Sequence, residues 1–118
     1  MLIKTLRSKI HHATVTEACI EYVGSITIDR DLLDASGIAV GQCVLVADMT
    51  DGARFETYVF EGERGSGVIC INGAAARLVN VGDQVIIMAF GYAEPDEAHA
   101  YKPTVVIADE ENRVKEIQ

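Results

Sequence analysis

The chain has 118 residues, 49% of them apolar, and a formal net charge of −8. Length and apolar content suit a single domain, residues 1–118, with a core of its own, and exclude a disordered chain. The acidic balance argues against nucleic acid and anionic membrane surfaces as partners.

Trp is absent and only 6% of residues are aromatic, so aliphatic side chains must fill the core. Cys19, Cys43 and Cys70 are widely spaced and form no Cys-x-x-Cys pair, as expected of reduced, mostly buried thiols in the cytoplasm. The opening stretch MLIKTLRSKIHH has no apolar run long enough for a secretory signal. Nothing approaches the roughly 18 apolar residues of a membrane span. A cytoplasmic protein is expected.

In chain order, Leu2–Lys9 and Ala13–Thr16 read as extended. Gly24-Ser25, inside EYVGSITID, reads as a turn, the commonest use of such a pair. A short strand around Ile26 and Ile28 follows. DRDLLDASG (Asp29–Gly37) predicts a short helix opened by acidic residues and closed by Gly37. QCVLVADM predicts a strand apolar enough to be buried on both faces. Asp51-Gly52 predicts a hairpin turn, and RFETYVF (Arg54–Phe60) alternates strictly, as a returning strand does. EGERGSG predicts a mobile polar loop, VICI a strand, and NGAAARLV a turn running into a short helix. VGDQVIIMAF predicts a turn and a strand, and AEPDEAHAY a short helix with Pro95 at its start. PTVVIAD and RVKEIQ predict two last strands around an EEN turn. So many short strands in one small chain predict a mainly β domain with a few short helices. Periodicity does not choose between barrel and sandwich.

Chemistry is sparse when each signal is taken alone. His11 and His12 are adjacent, so on an extended chain they point to opposite faces and cannot chelate together; no pair has zinc-site spacing, and no metal is expected. GERGSG lacks the Lys-Ser/Thr ending of a phosphate loop. On a pleated strand Arg54, Glu56, Tyr58 and Phe60 share one face, with Phe55, Thr57 and Val59 on the other. The first face is either merely solvated or functional, with Arg54 as a carboxylate clamp and Tyr58 as a proton donor. Lys9 offers a mobile positive charge for a second carboxylate. The small side chains of NGAAA allow a ligand close to main-chain N–H groups.

Together, SKIHHATVT, YVGSITID, RFETYVF, ERGSG and NGAAARLVNVGDQVII resemble, in order and over essentially the whole chain, the pyruvoyl-dependent aspartate 1-decarboxylases. The resemblance implies a six-stranded double-psi β-barrel. It also implies a homotetramer with active sites between neighbouring subunits, and leaves open an accessory maturation factor. By the same resemblance the Gly24-Ser25 bond breaks by the protein's own chemistry, giving pieces 1–24 and 25–118. Ser25 becomes a covalent pyruvoyl group, so neither a metal nor an external cofactor is needed. Thr57 matches the residue that assists cleavage and lines the substrate site, Tyr58 the proton donor, and Arg54 and Lys9 the groups that bind the two carboxylates of L-aspartate. Asn72, Gly73, Ala74 and Ala75 match the segment lining the site; His11 and Tyr22 match supporting residues. His12 stands where many relatives have arginine, which weakens the positive charge beside Lys9.

The implied activity is decarboxylation of L-aspartate to β-alanine through a Schiff base, supplying pantothenate synthesis. The alternative is an unprocessed β-barrel that binds or assembles without catalysis. Gly24, with no Cβ, would permit a tight backbone geometry at the cleaved bond. One tension follows from the alternation: Thr57 and Tyr58 face opposite ways yet serve one site. Either a bulge or a site wrapping the strand edge would reconcile them.

Overall fold

The computed structural model describes all residues, Met1–Gln118. Nine strands and two short α-helices follow one another as β1 (Ile3–Thr14), β2 (Glu17–Cys19), β3 (Ser25–Asp29), α1 (Arg30–Ser36), β4 (Cys43–Asp48), β5 (Arg54–Gly62), β6 (Ile69–Asn72), a 3-10 helix (Gly73–Leu78), β7 (Gln84–Ala93), α2 (Pro95–Ala100), β8 (Thr104–Ala108) and β9 (Val114–Ile117). The strands hydrogen-bond in the order β2-β6-β3-β5-β4-β7-β1-β8-β9. Three pairings are parallel, β2 with β6, β3 with β5 and β1 with β8, so the chain crosses over itself rather than running as a simple meander.

The core is aliphatic, as the composition requires. Ile10, Ile26, Ile28, Leu32, Ile69, Ile71, Val46, Val59, Val85 and Ile87 are fully buried, and no aromatic residue is among the buried core. β5 alternates exposed and buried residues as its sequence does. β4 departs from its expectation: Val44, Val46, Ala47 and Asp48 are buried, whereas Cys43 is exposed and Leu45 half-buried. That strand lies on the barrel wall with one face partly open, and apolar content alone does not reveal this.

The first two extended segments are one strand, β1, with irregularities between Leu6 and Ser8 and between Ile10 and Ala13. At the second, His12 adopts φ +69, and its ring lies against that of His11 with centroids 3.9 Å apart. The two rings therefore do not point to opposite faces, because the backbone there is not extended. β2 was not marked by any sequence pattern; three residues are too few for a period to register.

Asp29 holds this end of the barrel together. It caps α1 by accepting from the Asp31 N–H at 2.8 Å, and accepts from the N–H groups of Gly65 at 3.0 Å and Gly67 at 2.8 Å. The Gly-rich loop is thus tied down, not mobile; Arg64 adds ion pairs to Asp31 and Asp34 on α1. Burial alone would push the Asp29 carboxyl up, but the donors on Asp31, Gly67 and Gly65, with Arg113 nearby, outweigh it and hold it below the usual carboxylate value. A carboxyl lowered by folding stabilises fully above its unfolded value and loses that contribution as pH falls through the folded one. Asp29→Ala is expected to cost about 3 kcal/mol in urea unfolding, one cap plus orphaned donors. Asp29→Asn should flatten the loss of stability that the wild type shows below about pH 4.

Candidate active site at the Gly24-Ser25 bond

β3 and β6 pair antiparallel with Ser25 opposite Asn72, Ile26 opposite Ile71, Thr27 opposite Cys70 and Ile28 opposite Ile69. Directly opposed residues share a face, so the isoleucines form an apolar ladder into the core and the other four residues a polar ladder on the outer face. Ser25 is nonetheless only 1% exposed. Its hydroxyl donates to Val23 O at 3.3 Å and accepts from Asn72 Nδ2 at 3.0 Å. The same amide lies 3.4 Å from Thr27 Oγ1, and the Cys70 thiol donates to Asn72 Oδ1 at 3.2 Å.

The glycine that this geometry requires is Gly73 and not Gly24. Gly24 has no positive φ, and a Cβ built on it would meet nothing nearer than Asn72 O at 4.0 Å. Gly73 has φ +78, and a Cβ there would lie 2.6 Å from Gly24 Cα, 2.9 Å from Gly24 N and 3.2 Å from Tyr22 O. The backbone at the 24–25 bond therefore lies against the backbone of Gly73, which no side chain could permit. Tyr22 meets the site through its main chain, while its side chain is largely exposed. Ala74 is exposed and Ala75 half-buried on the first turn of the 3-10 helix.

Thr57 and Tyr58 keep strict alternation. β5 pairs with β4 without interruption from Arg54 to Tyr58, so there is no bulge. Thr57 is 7% exposed and turned inward; Tyr58 is 59% exposed on the outer face. β3 and β5 run parallel with Ile26 opposite Val59. Thr57 is not a partner of the Ser25 hydroxyl.

Lys9 and Arg54 are not brought to Ser25 within the chain. Arg54 lies four residues before Tyr58 on β5, about 13 Å at the ordinary strand rise. Lys9 is reached only across β4 and β7, in the row Glu56, Leu45, Met88, Lys9. All four of those residues, with Arg54, Ala47 and Ile86, share the outer face of the sheet. Lys9 instead adjoins the histidine pair: burial first, then the charges of His12 and Lys9, lower the pKa of His11, whose Nδ1 is buried without a hydrogen-bond partner. None of the five main clefts is lined by Ser25, Asn72, Gly73, Tyr58, Arg54 or Lys9.

Sequence reasoning missed Thr27 and Cys70. Each lies two residues from an expected site residue on a strand, Thr27 from Ser25 and Cys70 from Asn72, and so shares its face. That period was the available signal.

Residues 1–115 match the family described as aspartate decarboxylase. The aspartate 1-decarboxylase of Lactiplantibacillus plantarum is 60% identical over 114 residues, covering 97% of this chain and 88% of that protein. The chain belongs to the aspartate decarboxylase family. The enzyme of the same name from Clostridium beijerinckii is 55% identical, covering 99% of this chain and 94% of its relative. Among solved structures, the rationally designed double-psi β-barrel mkDPBB_sym_86 matches with TM-score 0.50 and 26% identity, over 74% of this chain and 96% of the design. The fold of this family member is accordingly a double-psi β-barrel, with nine strands where six were expected.

In the Ser25→Ala background, Gly73→Ala is expected to lower the melting temperature by more than about 5 °C, through both strain and overlap. Gly24→Ala should lower it by less than about 2 °C, having only the loss of glycine to bear. Equal effects would remove the close approach as the reason for Gly73.

Proposed function

We propose that this chain is a self-processing decarboxylase that converts L-aspartate to β-alanine and CO2, with Ser25 as the source of a covalent pyruvoyl group. The observation that carries the reading is the buried Ser25 hydroxyl held beside its own backbone, between Val23 O and the Asn72 amide. In cleavage, Oγ attacks the Gly24 carbonyl carbon, the Ser25 nitrogen leaves and takes up a proton, and an ester joins the two pieces. Loss of the Ser25 Cα proton expels the Gly24 carboxylate, and hydrolysis of the resulting enamine releases ammonia and leaves a ketone. Pieces 1–24 and 25–118 result. Neither hydrogen-bond partner of the hydroxyl is an effective base, so placement carries the rate.

Continuing the β3–β5 register backward sets Ser25 beside Tyr58 and Gly24 beside Thr57. This supports separate roles for the two faces of β5. Thr57, on the inner side, serves the oxyanion that forms on Gly24. Tyr58, on the outer side, faces the reacting carbon and returns a proton to it. Once formed, the pyruvoyl carbonyl supplies the electron sink that loss of the α-carboxylate needs. Asn72, Gly73, Ala74 and Ala75 flank the Ser25 end of the site, and Tyr22 supports it through its backbone.

Arg54 and Lys9 bind the carboxylates of aspartate, with His11 supporting Lys9. Their separation from Ser25 within one chain, and the absence of these residues from its main clefts, support sites completed between subunits of a homotetramer. The Ser25 end of one subunit then receives the cationic end of its neighbour. A purely binding barrel is not favoured, because the whole reacting set is present.

Denaturing mass spectrometry tests the reading. Two fragments split after Gly24 are expected, the larger without a free α-amine; a chain that stays whole on prolonged warming and evolves no aspartate-dependent CO2 overturns it. Ser25→Ala should remain one inactive chain, and Tyr58→Phe should cleave normally but turn over about 100-fold more slowly. Arg54→Ala and Ser25→Ala subunits, each inactive alone, should regain activity when co-assembled. No regain would mean that Arg54 acts within its own chain.

A further inference from the structure

We infer that Cys70 is a positioning residue for self-cleavage, its S–H orienting the Asn72 amide so that Nδ2 faces the Ser25 oxygen. The inference rests on the reading of Ser25 as the cleaved residue. A serine hydroxyl has one hydrogen, and here it is directed to Val23 O. Asn72 at 3.0 Å must therefore approach as a donor, through Nδ2. That choice turns Oδ1 to the opposite side, into a site where Asn72 is only 6% exposed. A buried carbonyl oxygen needs a donor, and the Cys70 thiol, 3.2 Å away, provides it.

The strand geometry puts Cys70 there. Cys70 and Asn72 are two residues apart on β6, so both side chains leave the same face, opposite Thr27 and Ser25 on β3. Without the thiol hydrogen a half-turn of the carboxamide is no longer penalised. It would set Oδ1 against the serine oxygen and draw the hydroxyl hydrogen away from Val23. The lone pairs of Oγ would then be redirected, and the fraction of chains poised for attack on Gly24 would fall.

Glu17 is the competing acceptor, since it lies opposite Cys70 in the β2–β6 register. It is exposed and solvated by water, whereas Asn72 Oδ1 is enclosed, so the hydrogen goes to the amide. Burial, then the nearby Glu17 carboxylate, push the Cys70 thiol up to about 11, which keeps it a donor rather than a nucleophile across the neutral range.

The test is the first-order rate at which freshly purified, full-length precursor splits, followed by intact-mass spectrometry. Cys70→Ser retains a donor and should cleave within about twofold of wild type. Cys70→Ala and Cys70→Val should be slower by about tenfold, the rate equivalent of one hydrogen bond. Wild-type precursor that never splits would overturn the self-processing reading itself. Wild type that splits while Cys70→Ala keeps pace overturns this inference alone. Cys70→Ser as slow as Cys70→Ala assigns the effect to sulfur packing and also overturns it. A second measurement needs only the wild type and Cys70→Ser: the ratio of their rates should fall as pH rises from 8 toward the thiol value of about 11. A constant ratio would show that the thiol proton plays no part.

Discussion

The pairing of β3 with β6, Ser25 opposite Asn72, is the constraint on which the rest depends. Its register is held by Ile26, Ile28, Ile69 and Ile71, all with no exposed surface. Each contributes about 2–3 kcal/mol by burial. A slip of either strand by one residue would turn its two polar residues into the core and its two isoleucines outward, a loss comparable with the stability of a domain this size. The apolar ladder thereby positions the polar one. Chemistry at Ser25 draws its precision from side chains that take no part in it.

Close backbone approach is the second constraint. Gly73 lies against Gly24 and Tyr22, so the start of the 3-10 helix forms a wall behind the Gly24-Ser25 bond. Asp29, at the other end of β3, ties the strand to α1 and to the Gly65–Gly67 turn through three N–H donors. β3 is thus gripped at both ends. A nucleophile with no strong base at hand needs that rigidity, because its rate depends on how often it occupies the reactive geometry.

Charge is organised on a larger scale. A chain of net charge −8 whose substrate carries two carboxylates needs local positive charge. Lys9 lies beside the His11–His12 pair where β1 is irregular, and Arg54 opens β5 on the same outer face as Lys9. Both sets are remote from Ser25 in one chain. The proposed assembly between subunits would bring this positive charge to Ser25.

Much was legible in the sequence because it is local. α1 with its Asp29 cap and Gly37 end, the Asp51-Gly52 hairpin, Pro95 at the start of α2 and the alternation of β5 follow from short-range chemistry, and the full-length motifs identify the family. What only the tertiary structure decided depends on pairs far apart in the chain. The His11–His12 stack needs a left-handed residue that no propensity marks. The Gly-rich loop is fixed because Asp29, more than 30 residues earlier, accepts its N–H groups. Gly73, rather than Gly24, carries the demand for a missing Cβ because the crowding comes from the β2–β3 connection nearly 50 residues away. Cys70, unremarkable as a lone thiol, gains its place beside the Ser25–Asn72 pair from strand register. Sequence determined which residues are present and how each segment bends; long-range pairing decided which of them meet.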